Sequence, residues 1–238
     1  RPAVLDKLRL EEGKYIVFTL NRKALIDNKA HLAQLVKAVI SGMNDATLPI
    51  IAPLRGCAAG VVKEILAETS YPSAITLIEP QSYLDFEYIT AHACGIITDS
   101  GNVAEEATFN QIPCITLNSY TEHIETVKVG TNVLVGEDPK LLSASVSNMI
   151  SGQWKASGIP ERWDGRSAER ILQILCWLFR LADTYLLELL SINLCPSTML
   201  NNVLILAFLF SFLYFCSRRK RFPLIPEYIE LDDTEVLK

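Results

Sequence analysis

Six short apolar runs, separated by segments of helix length, constrain this chain more than any other feature. They are "YIVFTL" (15–20), "LPIIAPL" (48–54), "AITLIE" (74–79), "GIIT" (95–98), "PCITL" (113–117) and "NVLV" (132–135). Between them lie patterns of helical period. From Asn28 to Gly42, for example, Leu32, Leu35, Val36, Val39 and Ile40 share one face. "AAGVVKEILAE" and "SYLDFEYITAHA" are further helix-length segments, and Asp138-Pro139 opens another that ends near Gly152, an acid before a first-turn proline being a start signal. Continuous apolar runs alternating with helices indicate a parallel sheet covered on both faces. Right-handed crossovers then make it an α/β, doubly wound, Rossmann-like domain, expected over residues 10–152.

The remainder reads differently. "WKASGIPERWDGRSAERI" holds a connection through Gly158-Ile159-Pro160 and then a new helix from about Gly165. From Leu172 the chain turns strongly apolar while still carrying Arg180, Asp183 and Glu188. An uncharged run from Val203 to Cys216 precedes "SRRKR", and the end is acidic. The expected division is a Rossmann-like domain with its closing helix over 1–171, apolar helical segments over 172–217, and a polar acidic tail over 218–238. Val203–Cys216 is shorter than the ~17–25 residues of a spanning helix, and extension back to Met199 brings it only to the margin. Three readings stay open for this tail. One is a membrane hairpin of 172–192 and 199–217 with "SRRKR" on the cytoplasmic side, against which the three charges count. The others are buried or interface helices, and a sequence junction. The chain opens at Arg1 rather than Met and reaches strand-like sequence by Tyr15, as a fragment would.

Composition excludes several classes. A formal net charge of −5 argues against nucleic-acid partners, which need a basic face. The six cysteines are scattered with no C-x-x-C, which fits a reduced, cytoplasmic thiol population and no structural zinc site. His31, His92 and His123 do not form a metal set; the first two read as helix-surface residues, and His123 lies nearer the edge of interest. There is no nucleophile elbow G-x-S-x-G, no Walker sequence and no G-x-G-x-x-G.

In open parallel sheets, ligands bind beyond the carboxyl ends of the strands. The loops there are Asn21-Arg22-Lys23, Arg55-Gly56, Pro80-Gln81-Ser82, Asp99-Ser100-Gly101-Asn102 and Asn118, all small, polar or basic. The fourth admits two readings. Asp99 or Ser100 caps a helix, or Ser100, Gly101 and Asn102 let a phosphate reach free amides at the helix start. Glu105 and Glu106 point about 100° apart on that helix, so one can face solvent and the other the cleft. The cleft-facing one could accept hydrogen bonds from both hydroxyls of a ribose, or both could simply favour the helix start. Gln81 offers an amide to a base edge, and Phe86 an apolar wall or ordinary core. Arg22 and Arg55 could neutralise phosphate charge or form surface ion pairs.

These loops together resemble the C-terminal half of the non-hydrolysing UDP-N-acetylglucosamine 2-epimerases. The matching text is "TLNRKALIDN", "IEPQSYLDFEYI", "IITDSGNVAEEA", "IPCITLNSYTEHIETVKVGTNVLVG" and "WDGRSAERI", in family order, across roughly residues 2–172. The resemblance implies the second domain of a glycosyltransferase-B type fold and UDP or UDP-N-acetylglucosamine as ligand. It implies Gln81 and Phe86 at the uracil, Ser100, Gly101 and Asn102 at the diphosphate, and Glu106 on the ribose. Family chemistry removes the C2 proton, eliminates UDP and re-adds it with C2 inverted. It uses no metal or nicotinamide, and so implies no cofactor. A homo-oligomer is also implied.

Several positions depart from the family pattern. T-x-H-R-x-E-N has Asn21 for its histidine and Ala24 for its glutamate. The second glycine of D-S-G-G is Asn102, H-P-R is reduced to Pro53-Leu54-Arg55, and T-E-R-P-E reads Thr121-Glu122-His123-Ile124-Glu125. Asn118 stands where a basic residue is usual. Asn21 and Asn118 still donate hydrogen bonds but bring no charge, leaving Arg22 and Arg55 to compensate. The family's first domain, with the carboxylates assigned to proton transfer, has no counterpart here, so no catalytic residue is assigned. The expectation is an incomplete UDP-N-acetylglucosamine 2-epimerase supplying the UDP-binding half. The alternative is a non-catalytic nucleotide-sugar-binding or membrane-associated remnant.

Overall fold

The computed structural model describes residues 1–43, 48–69 and 73–191, with side chains as far as 182. The chain divides into two compact units, Arg1–Ser167 and Ala168–Lys238. In the first, all six apolar runs are strands, all but the fourth trimmed at their ends: β1 (Ile16–Phe18), β2 (Ile50–Ala52), β3 (Ile75–Leu77), β4 (Gly95–Thr98), β5 (Cys114–Thr116) and β6 (Asn132–Leu134). They form one parallel sheet in the order β3-β2-β1-β4-β5-β6. The winding reverses between β1 and β4, where Val17 lies beside Ile96 and Phe18 beside Ile97. A crevice outside the strand ends at such a reversal is where open sheets bind ligands.

Strand periodicity splits each run between two cores. Ile16, Phe18, Ile50, Ala52, Ile97 and Ile115 face one side. There they meet α3 (Lys29–Gly42) through Leu32 and Val36, α4 (Gly56–Ala67) through Val62 and Ile65, and α8 (Pro139–Ile150) through Val146 and Met149. Val17, Ile51, Ile96 and Cys114 face the other. There they meet α1 (Ala3–Lys7) through Leu5, α5 (Tyr83–Ala91) through Ile89, and α6 (Gly101–Phe109) through Val103 and Ala107. The fold is therefore doubly wound, as the apolar runs imply.

Local chemistry sets the helix starts. Asp138 caps α8 by accepting from Lys140 N at 2.8 Å, with Pro139 in the first turn. Ser82 accepts from Asp85 N at 3.2 Å and caps α5; Asn28 accepts from His31 N at 3.2 Å and caps α3. α1, α2 (Lys23–Asp27) and α7 (Ile124–Lys128) have five residues each, too few to show a helical period in sequence.

α9 runs from Ser167 to Ser191, all of it but Ser167 in the second unit. It contains most of the first arm of the membrane hairpin considered above. Among the described residues no helix is long and apolar enough to cross a membrane, and Arg180, Asp183 and Glu188 interrupt the apolar run. The second arm (199–217), the "SRRKR" cluster and the acidic tail lie outside the described residues. His92 is also not a plain surface residue: its ring stacks on Tyr88, with centroids 4.0 Å apart, at the end of α5.

Candidate functional site

Asp99, at the end of β4, is 4% exposed. It does not cap α6. Its carboxylate reaches across the reversal to β1, accepting from Asn21 N at 2.9 Å and Arg22 N at 2.7 Å. Ser100 occupies the cap position of α6, but its side chain makes no capping bond. Its own amide donates to Thr98 Oγ1 at 3.0 Å, and Thr98 is tied to Thr19 by a buried 2.7 Å hydroxyl pair. The capping reading of this loop is thus not met. The first turn of α6, with Gly101 and exposed Asn102, lacks a side-chain cap at the point of reversal. Orphan amides at a helix start, together with the helix dipole, favour an anion.

Three clefts are lined by the loops after the strands and by α5 and α6. The first, of about 220 Å³, is lined by Asn21, Arg55, Gln81 and Phe86 together with Tyr83 and Val103. It unites the loops after β1, β2 and β3. Arg55 is exposed and has no acidic partner among the described residues. The Gln81 amide donates to Glu79 O at 2.6 Å, a bond that uses its nitrogen and not its acceptor oxygen. Phe86 lines the cleft and also packs on the core beneath, so both readings of it hold.

The second cleft, of about 300 Å³, holds Arg22 with Asn118, Ser119, Tyr120 and Glu137. Arg22 donates through Nη1 to Asn118 Oδ1 at 2.5 Å and through Nη2 to Glu137 Oε1 at 2.6 Å. Asn118 in turn donates to Asp99 O at 3.2 Å. The ion-pair reading of Arg22 is therefore realised. Both partners are over a third exposed, and pairs of that kind contribute about 0–1 kcal/mol, so a phosphate can compete for the guanidinium. Glu137 also meets His31 Nε2 at 3.0 Å, at the start of α3.

The third cleft, of about 450 Å³, is lined by Tyr83, Glu87, Glu105, Glu106, Phe109 and Trp163. Burial, followed by a hydrogen bond with Glu87 and the charges of Glu87 and Glu105, pushes the Glu106 carboxyl up to about 7. Neither of the paired glutamates is fully exposed, contrary to the one-in, one-out expectation. Glu105 is held instead by His123, whose Nδ1 lies 3.0 Å from its Oε1. Glu105, His123 and Glu125 bring one ligand-type atom each within 4.8 Å of the others. Sequence reasoning did not single out Glu87 or Glu137. Glu87 carried a usable signal, lying one turn from Tyr83 and directly after Phe86 in the quoted "SYLDFEY" segment. Glu137 carried none, because its partners are distant in sequence.

Against this geometry, a family model described as UDP-N-acetylglucosamine 2-epimerase matches residues 1–176. The chain belongs to that family. A UDP-N-acetylglucosamine 2-epimerase of Methanocaldococcus jannaschii is 35% identical over 170 residues, 70% of this chain and 45% of the relative. The crystal structure of the M. jannaschii epimerase in complex with UDP-GlcNAc and UDP has a TM-score of 0.56 at 35% identity, covering 68% of this chain and 45% of that one. A UDP-2,3-diacetamido-2,3-dideoxy-D-glucuronate 2-epimerase of Pseudomonas aeruginosa is 31% identical over 164 residues, 69% of this chain and 45% of the relative. The chain thus spans about half the length of the curated relatives it matches. The fold is the α/β, Rossmann-like one of the glycosyltransferase-B type epimerases.

Proposed function

We propose that this chain is the C-terminal, UDP-binding half of a UDP-N-acetylglucosamine 2-epimerase, comprising a nucleotide domain over 1–171 and a tail from 172. The uncapped start of α6 at the sheet reversal carries the reading. The diphosphate lies on Ser100, Gly101 and Asn102, with Asn21, Arg22 and Arg55 around it. Gln81 and Phe86 hold the uracil in the first cleft, and Glu106 accepts the ribose hydroxyls. The M. jannaschii complex with UDP-GlcNAc and UDP supports this class of ligand.

The sugar then projects past the strand ends, where the other half of an epimerase would supply the groups that take and return the C2 proton. Proton transfer needs such groups within hydrogen-bond reach, and none of the nine residues named here is given that role. The chain is accordingly proposed to act in the cytoplasm within a homo-oligomer. A second reading, a nucleotide-sugar-binding protein without turnover, is favoured by Glu137 already occupying Arg22 and by uncharged Asn21 and Asn118.

Calorimetry with UDP tests the binding claim, and NMR of UDP-N-acetylglucosamine incubated with the protein tests turnover. Binding without formation of the manno isomer is expected from this chain alone. Glu106→Ala should weaken UDP binding about ten- to a hundredfold, the equivalent of charged hydrogen bonds worth about 1.5–3 kcal/mol. Glu105→Ala should do less. No heat of UDP binding at millimolar protein would sink the proposal.

A further inference from the structure

Glu137 is a charged residue beside Arg22 that the proposed nucleotide site leaves without a task. It follows β6, between two residues whose backbone is fixed. Gly136 takes φ +60°, a left-handed conformation that suits glycine, and donates its amide to Asn118 O at 3.1 Å. Asp138 accepts from Lys140 N at 2.8 Å and caps α8. From this anchored turn the Glu137 side chain enters the cleft of about 300 Å³ that Arg22 also lines. Its Oε1 lies 2.6 Å from Arg22 Nη2, and its Oε2 lies 3.0 Å from His31 Nε2.

Arg22 does not depend on that contact for its place. Its backbone amide donates at 2.7 Å to Asp99, the residue directly before the α6 turn. Its Nη1 donates to Leu117 O at 3.3 Å and to Asn118 Oδ1 at 2.5 Å. These neutral acceptors and the backbone tie hold the side chain at the strand ends. Nη2 instead meets a carboxylate, which matches a phosphate oxygen in charge and in hydrogen-bond geometry. The two side chains are 38% and 36% exposed, so their contact can open without stranding a buried charge.

We propose that Glu137 is a built-in competitor of the nucleotide's diphosphate, occupying the guanidinium of Arg22 in the empty protein and thereby setting how tightly the anion is held. This rests on the reading that Arg22 lies at the diphosphate. A phosphate oxygen takes Nη2 by displacing Glu137 Oε1. The exchange asks only for rotation of one side chain, since the turn on either side stays pinned. The displaced carboxylate keeps His31 as a partner. Part of the phosphate's interaction with Arg22 is thus offset by the ion pair it breaks, and the carboxylate left nearby repels it further. A neutral residue at 137 removes both costs.

The test is calorimetry of the 238-residue chain with UDP. Glu137→Gln keeps the shape and an acceptor but removes the charge. It should bind UDP up to about fivefold more tightly than the parent, the equivalent of an exposed ion pair of about 1 kcal/mol. Glu137→Ala should gain at least as much. A gain is the decisive sign, because a residue that merely orients Arg22 would lower affinity when truncated. Arg22→Gln should weaken UDP binding, and on that background Glu137→Gln should bring no further gain, the non-additivity expected of groups acting on one contact. Unchanged or weaker UDP binding in both Glu137 variants overturns the inference. So does a gain of the same size without Arg22, which would be long-range charge rather than competition for the guanidinium. UDP bound equally by every form at position 137 leaves the nucleotide reading standing, whereas no UDP binding by the parent or either variant removes both.

Discussion

Asp99 joins the two halves of the sheet winding through one carboxylate. It gathers amides from the loop after β1 and sits at the base of the proposed phosphate turn. Asp99→Ala leaves two partly buried amide donors without their charged acceptor. That should cost about 2–3 kcal/mol, read as a lower urea midpoint at unchanged slope. Asp99→Asn keeps one acceptor oxygen and should cost about half as much. A loss below about 0.5 kcal/mol for the alanine variant would remove the role. Sequence could not distinguish this role from a cap, because the partners are 78 residues away in the chain. The same limit hid the pairing of Glu137 with Arg22 and His31. By contrast, the common edge of the loops holding Asn21, Arg22, Arg55, Gln81 and Ser100 was legible from their positions after apolar runs, since a parallel sheet places every such loop on one edge, whereas Phe86 and Glu106 lie within helices and were named only through the family resemblance and helix pattern.

At the scale of elements, the six strands were legible because burial on both faces makes them continuously apolar, and their alternation then assigns each residue to one core. How closely the helices approach was not. α8 seats against two glycines. A Cβ on Gly42 of α3 would lie 2.6 Å from Ser143 O and 2.8 Å from Val146 Cβ, whereas one on Gly95 of β4 would lie 2.1 Å from Met149 Sδ. The first obstruction is backbone, and relieving it means moving one helix off the other. The second is an unbranched side chain with several rotamers. Gly42→Ala should therefore destabilise by about 2–3 kcal/mol, in the range of overpacked cores, and Gly95→Ala by about 1 kcal/mol or less. Thermal melts of the two variants side by side check the order. The reverse order would mean that Met149 is more firmly held than its chemistry suggests.

At the scale of the molecule, all nine residues proposed for the nucleotide lie in the unit Arg1–Ser167, as do both of its hydrophobic cores. That unit has a closed account of its own. It contains a six-stranded sheet with helices on each face, and the site is built from loops that this sheet alone positions. The exposed apolar side chains of α9, among them Ile171, Ile174 and Trp177, belong to the other unit. A chain ended after Ser167 should therefore unfold in a single cooperative step and bind UDP within about twofold of the full chain. Saturating UDP at a hundred times its dissociation constant should stabilise both forms by about 2.7 kcal/mol. If the shortened chain stays folded by circular dichroism but loses UDP, residues beyond 167 contribute to the pocket, and the assignment of the nucleotide to the sheet edge alone is wrong. If it cannot fold, α9 completes the core rather than following it. Equal affinity with a cooperative melt would locate both stability and nucleotide recognition in the strand-edge architecture that the six apolar runs encode.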